Sequence, residues 1–233
     1  MIEWISGTKQ ERKVGSKMTE SRRNGSLKSD IYQFIYGNIL GGQYLAGSII
    51  NEKELITAFH VSKSPVREAL LELCHDGILR SIPRYGYEVI RMTQQDEKNV
   101  REYRMALESS ALDLFWDRIQ LNRIEELLHS VRNNSGKLNL ALDQWLDSVR
   151  FHLALNYCLR NEYTYNKLEE DLNIQTRVYN QFILDRWHRE LDFSPRNQHE
   201  EILTAILQGD REQAVMLLKQ NISHSPLEAE ASA

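Results

Sequence analysis

Three residues, His60, Val61 and Ser62, are all that separate two amphipathic helical patterns, and so short a connection leaves few ways for those helices to pack. Upstream, Asn51-Glu52-Lys53-Glu54 reads as an N-cap with a carboxylate at the third helical position. Leu55, Ile56, Ala58 and Phe59 follow, so a short helix ends near His60. Downstream, Ser62 is a natural N-cap, and Pro65 falls in a first turn, where its missing N–H has no helical partner to lose. Positions 63, 64 and 67 then share one face, whereas Val66, Ala69, Leu70 and Leu73 point the other way, toward a core. Helices joined this tightly suit a helix-turn-helix, whose second helix enters the major groove and offers its N-terminal residues to the base edges. After Gly77, two β-prone runs at 79–82 and 87–91 flank Pro83-Arg84-Tyr85-Gly86, which gives a hairpin wing with Arg84 near its tip.

With these motifs in order, residues 27–91 resemble the winged helix-turn-helix of the GntR family of bacterial transcription regulators. The resemblance includes a first helix over Leu27–Leu40 and the loop Gly41-Gly42-Gln43-Tyr44-Leu45-Ala46-Gly47. It continues through Glu54-Leu55, Val61-Ser62, Pro65-Val66-Arg67-Glu68-Ala69-Leu70, Gly77-Ile78-Leu79 and Arg84-Tyr85-Gly86. Ala46 stands where the family usually has proline, and Ile56 where it has a small alanine. The resemblance implies DNA contacts at Lys53, Ser62, Lys63, Ser64, Pro65, Arg67, Arg84 and Gly86. The chemistry agrees: Lys53, Lys63, Arg67 and Arg84 can neutralise phosphates, and Lys63 or Arg67 can also read guanine O6 and N7. Gly86 is expected to let the wing backbone approach the DNA closely.

Charge limits how such a domain can work. Residues 27–92 hold seven Lys and Arg against seven Asp and Glu, so its cations must be well placed because they are not in excess. The first 26 residues hold six basic against three acidic groups, and residues 93–233 hold 16 against 23. The acidic remainder is expected to stand away from DNA, and specific binding to depend on few phosphate contacts, on dimerisation and on salt.

The 233 residues, 41% hydrophobic and 27% charged, suit two modest domains. We read 1–26 as a disordered basic tail, within which Met18 is an alternative start, 27–92 as the DNA-binding domain, 93–225 as a helical domain, and 226–233 as a tail. No apolar run matches a membrane span or a signal peptide. Cys74 and Cys158 lie in apolar helical patterns of different domains, so a cytoplasmic protein with free thiols is expected.

From Thr93 onward the pattern is helical throughout. Thr93 with Asp96 three residues on is a capping box, opening a helix whose buried face is expected to carry Val100, Tyr103, Leu107, Ala111 and Leu114. Further helices are expected near 122–133, 138–160, 162–186, 195–208 and 211–223, with Ser194-Pro195 and Asp210 with Gln213 marking the last two starts. There is no proline between 84 and 194, and no heptad persists, so the fold class is mainly α: a winged helix-turn-helix of three helices and a β-hairpin, then an antiparallel bundle of about six helices.

That second half resembles the FCD effector-binding domain of the FadR-like GntR branch, closer to its shorter VanR-like version. The resemblance is carried by Arg104 and Glu108, by Phe151-His152 with Asn161, and by His199 through Ala205, with Asp210 and Ala214. Many FCD domains hold a divalent metal on an Asp and three His. The matching positions here are Ser148, His152, His199 and Asn221, so two imidazoles remain and two ligands are lost. Neutral hydroxyl and amide oxygens make a poor site for zinc or nickel. The expectation is therefore a metal-free pocket, with a degenerate His152/His199 metal site as the alternative. Ser148, His152, His199 and Asn221 would bond an effector, Arg104 would clamp its carboxylate, and Arg177 is a further candidate.

The partners this resemblance implies are an operator in double-stranded DNA, a second copy of the chain, and a small organic acid such as a sugar, hydroxy or amino acid. The short connection Arg91-Met92-Thr93 favours coupling between pocket and DNA. Without a nucleophile elbow, P-loop or HExxH motif, an enzyme is not expected. The alternative to a DNA regulator is a partner-binding protein that has lost DNA affinity.

Overall fold

The computed structural model describes residues 27–134, 141–185 and 196–225. The tails at 1–26 and 226–233, Met18, and the start at Ser194-Pro195 lie outside the described residues. The chain divides into two compact units at Met92 and Thr93.

In the first unit, α1 (Leu27–Leu40) buries Ile31, Ile35, Tyr36 and Ile39, an i, i+4, i+5, i+8 stripe that makes one helical face. Helix α2 (Glu52–Phe59) starts at Asn51, whose side chain accepts from the Lys53 amide at 2.9 Å. It stops abruptly. His60 takes a left-handed φ of 52°, and the Val61 amide bonds back to Ile56 O at 3.3 Å. That single left-handed residue makes the three-residue turn possible. Helix α3 (Lys63–His75) buries Val66, Ala69, Leu70 and Leu73, and ends where Gly77, with φ of 64°, lets the Ile78 amide reach Leu73 O at 2.9 Å.

Strands β2 (Leu79–Ile82) and β3 (Gly86–Val89) form the wing, and a short strand β1 (Ile49–Ile50), not foreseen in the sequence, pairs with the far edge of β3. All pairings are antiparallel in the order β1-β3-β2. The expected hairpin is thus anchored to the helices through β1. Ile50, Leu79, Tyr87 and Val89 join the helical side chains in one core.

In the second unit six α-helices and one 3-10 turn are seen among the described residues: α4 (Gln94–Leu114), the turn Trp116–Arg118, α5 (Leu121–Asn134), α6 (Ala141–Cys158), α7 (Glu162–Asp185), α8 (Arg196–Leu207) and α9 (Arg211–Ser223). The Thr93–Asp96 capping box forms, and Asp210 caps α9 by accepting from the Gln213 amide at 3.0 Å. An apolar core gathers Leu112 of α4, Ile124 of α5, Leu155 of α6, Ile202 and Leu203 of α8, and Leu218 of α9.

Helix α4 corrects the expected face. Of the residues expected inside, Tyr103 is 51% and Leu114 72% exposed, whereas Glu97, Arg101, Arg104 and Glu108 are buried with Ser109, Ala111 and Leu112. The charged residues tolerate burial because they pair along the helix: Arg101 with Glu97 at 3.3 Å and Arg104 with Glu108 at 2.7 Å. A simple apolar-face rule fails where opposite charges at i, i+4 satisfy one another.

Candidate functional site

The proposed DNA-reading surface is built on the first turns of α2 and α3 and on the wing. Lys53, Arg67 and Arg84 are exposed and make no ion pair among the described residues. Lys63 is exposed as well, but its ammonium lies 3.3 Å from Glu52 on α2. Ser64 Oγ donates to Glu68 Oε1 at 2.7 Å. Ser62 has the extended backbone of an N-cap but makes no side-chain cap bond, which corrects the capping expected of it. Ser62 is exposed, and without its cap the first amides of α3 keep their donors, a favourable setting for a phosphate.

The wing tip carries Arg84 in the left-handed region at φ 71°, beside Tyr85, which is 75% exposed. Tyr85 is part of the wing motif but not among the DNA contacts expected from the sequence, where an aromatic in a turn carries no periodic signal. Gly86 has an intramolecular reason to be glycine. Its φ is 137°, and a Cβ there would lie 2.6 Å from Ile50 O, so the residue permits β1 to pair with β3. Tyr87 is buried on β3: burial, followed by the charge of Glu52, raises its hydroxyl pKa, and the charge of Arg67 lowers it.

The second unit buries a polar network between α4 and α7. Arg104 donates through Nε and Nη2 to Glu108 Oε1 at 3.0 and 2.7 Å, and through Nη1 to Gln175 Oε1. Gln175 in turn donates from Nε2 to Glu97 Oε1 at 3.2 Å, and the Tyr179 hydroxyl reaches the same oxygen at 2.8 Å. Burial, reinforced by the Glu97 carboxylate, raises the Tyr179 pKa well above its usual value. His152 Nδ1 lies 2.7 Å from Glu108 Oε2, so the Glu108 carboxylate is held on both oxygens. Burial alone would raise the pKa of Glu108, but the charges of His152 and Arg104 and their hydrogen bonds outweigh it and bring it to about 2.

A cavity opens onto this network. Arg104, Ser148, His152 and Asn221 line it together with Arg101, Trp145, Gln175 and Tyr179. Its volume of about 30 Å³ is room for roughly one or two waters, well short of the roughly 300–1,000 Å³ of a metabolite pocket. Two expected lining residues are placed elsewhere. Arg177 is buried but does not line the cavity, because two residues along a helix turn it roughly 200° from Gln175. His199 stacks on Phe151 with ring centroids 3.8 Å apart, behind the lining. Arg104 is likewise no free clamp, since Glu108 and Gln175 occupy three of its nitrogens.

The donor set does not fit a divalent metal. His152 and His199 lie edge to face with ring centroids 5.7 Å apart, but the remaining positions are the neutral Ser148 and Asn221, whose oxygens complete a zinc or nickel site poorly. No group of three His, Cys, Asp or Glu is placed to hold an ion among the described residues.

Sequence reasoning passed over Glu97, Arg101, Gln175 and Tyr179 as site residues. The signal was present as charged residues at 97, 101, 104 and 108, spacings of four, three and four that repeat one helical face.

Comparison with known proteins gives the surface and the cavity a common context. Residues 27–89 match the family described as bacterial regulatory proteins, gntR family, and residues 99–224 match the FCD domain. An uncharacterised HTH-type transcriptional regulator of Bacillus subtilis, YdhC, is 29% identical over 56% of this chain, and the match spans 60% of that relative's length. The gluconate operon transcriptional repressor of Bacillus licheniformis is 25% identical over 78% of this chain and 76% of its own. A solved structure described as a transcriptional regulator GntR, from Rhodococcus sp. RHA1, shares the fold with a TM-score of 0.66 at 22% identity, covering 90% of this chain and all of that one. No helix among the described residues is long and apolar enough to cross a membrane. A winged helix-turn-helix followed by a helical unit with a polar cavity, matched over both parts, makes this chain a member of the GntR family of bacterial transcription regulators with an FCD domain, and not an enzyme.

Proposed function

We propose that the protein acts in the cytoplasm as a homodimeric repressor on a pseudo-palindromic operator, released or tightened by a small metabolite that carries a carboxylate. The buried stripe of Glu97, Arg101, Arg104 and Glu108 around a cavity carries this reading. Burying four charges is a costly way to pack a helix, and an apolar stripe would hold α4 against α7 at least as well. A ligand that exchanges with one of those charges gives the arrangement a use. Arg104 is the group such a carboxylate would take, in place of Glu108, with hydroxyls or amines of the ligand meeting Ser148 and Asn221.

The cavity must widen for this exchange, and widening it shifts α4 against α7. In a dimer such a shift changes the spacing of two recognition helices, which specific operators require to be about one helical turn of DNA apart. A metal plays no part in this reading. Two relatives carry the name gluconate operon transcriptional repressor, which favours a sugar acid within the class.

A thermal-shift screen of sugar, hydroxy and amino acids tests the proposal, since a ligand of the folded state raises its melting temperature. The hit is expected to lose its effect in Arg104→Met and to change affinity for DNA at fixed salt. A hit that leaves DNA affinity unchanged would contradict the coupling.

A further inference from the structure

We infer that Glu68, one turn beyond Ser64 on α3, makes the recognition helix a reader of a C·G base pair, with the Glu68 carboxylate, held by the Ser64 hydroxyl, accepting the free proton of the cytosine N4 amino group. The inference rests on the DNA-binding reading and adds a base and a residue to it.

The argument begins with one proton. Ser64 Oγ lies 2.7 Å from Glu68 Oε1. An ionised carboxylate has only lone pairs, so the hydroxyl must be the donor and its single proton is used inside the protein. What Ser64 and Glu68 turn outward is then lone pairs alone: those left on Oγ and those of Glu68 Oε2. Both residues are exposed, so the pair is not there to satisfy a buried group.

Such a surface is wrong for the DNA backbone, where phosphate oxygens are acceptors and negatively charged. It suits only a donor on a base edge, and the major groove offers two, cytosine N4 and adenine N6. Adenine presents the N7 acceptor beside its amino group, and a pair of acceptors meets N7 with repulsion. Cytosine presents its amino group without a neighbouring acceptor. The guanine opposite offers O6 and N7, both acceptors, and Arg67 stands next to Glu68 in sequence, exposed and with no ion pair among the described residues. A C·G pair therefore calls for an acceptor at cytosine and a donor fork at guanine, the two chemistries that Glu68 and Arg67 carry on α3.

The test is selection of duplexes with a random core by the full-length chain, wild type against E68A, E68Q and S64A, read by sequencing. Wild type is expected to enrich C·G at one position of each half-site by roughly tenfold over the other pairs. In E68A that preference should fall below about twofold while binding to unselected duplex tightens, since one negative charge has left the DNA face. E68Q should move the preference toward adenine, because an amide matches N6 and N7 together. S64A should weaken the preference without redirecting it. Because Glu68 and Ser64 are exposed, unchanged melting temperatures are expected to accompany these shifts.

Overturning results are an E68A protein that selects the same half-site as wild type, or a wild-type half-site in which no C·G position responds to Glu68. If wild type enriches no sequence, the DNA-binding reading itself falls, an outcome distinct from a half-site that ignores Glu68.

Discussion

His152 Nδ1 and Glu108 Oε2 lie 2.7 Å apart, each side chain only 3% exposed, and the other oxygen of that carboxylate is taken by Arg104. A residue held between two cationic or proton-donating neighbours in the interior cannot be removed without leaving charge behind. Glu108→Ala is expected to destabilise the helical unit by about 3–5 kcal/mol, because the Arg104 guanidinium is left buried and unpaired. Urea unfolding measures this directly. A double replacement of Arg104 and Glu108 by Met and Leu should recover most of the loss.

The same carboxylate sets the acid response, opposed by a second one. With its pKa lowered to about 2 from the usual 4.5, Glu108 contributes stability that is complete above pH 4.5 and is lost as pH falls toward 2. Asp171 on α7 runs the other way. Burial, assisted by the charges of Glu170 and Glu108, raises it from 3.8 to about 6, so the folded state takes up its proton first and stability rises as pH falls from about 6 to about 4. Unfolding free energy measured from pH 7 downward should therefore rise slightly before it drops. Asp171→Asn should abolish the rise, and Glu108→Gln should blunt the drop.

On the DNA face, the Lys63–Glu52 pair competes with phosphate for the same ammonium. Exposed pairs of this kind are worth roughly 0.2–1 kcal/mol, so Glu52→Gln should tighten binding to duplex DNA by up to about fivefold. Lys63→Ala should weaken binding and make log affinity fall less steeply with log salt, the slope shrinking by roughly 0.9 for each phosphate left without its cation. Anisotropy titrations at several salt concentrations separate the two effects.

Gly86→Ala should detach the wing from β1. A Cβ would meet Ile50 O at 2.6 Å with the backbone at φ 137°, a combination expected to cost about 1–3 kcal/mol. Hydrogen exchange would register it as reduced protection at Gly47 and Val89, whose amides bond to Val89 O and Ser48 O beside that strand pair.

Much of this fold was legible because local signals and burial agreed. The helix starts at Asn51, Thr93 and Asp210 are marked by side chains that do bond the amides of the first turn. The stop at His60 is fixed by the length of the turn. The strand β1 was not legible, because Ile49 and Ile50 are two residues with no alternation to read and become a strand only by pairing with Glu88 and Tyr87.

The cavity was legible in part. Arg104, Ser148, His152 and Asn221 do converge, whereas Arg177 and His199 do not line it. Rotation about α7 decides the first and stacking on Phe151 the second, and neither is visible in spacing alone. The apolar-face rule missed the stripe from Glu97 to Glu108, since it treats every charge as solvated and does not ask whether i, i+4 partners can go inside together.

The central claim is that α3 reads DNA sequence through the residues on its first turns. It is tested most directly by titrating the full-length protein against a duplex selected from a random pool and against a shuffled copy of that duplex, at one salt concentration. The account predicts a preference for the selected duplex of roughly 10³ or more. That preference should vanish in the Lys63→Ala, Arg67→Ala double variant, with its melting temperature unchanged. Equal affinity of the wild type for both duplexes, or a double variant that keeps the preference, would contradict it.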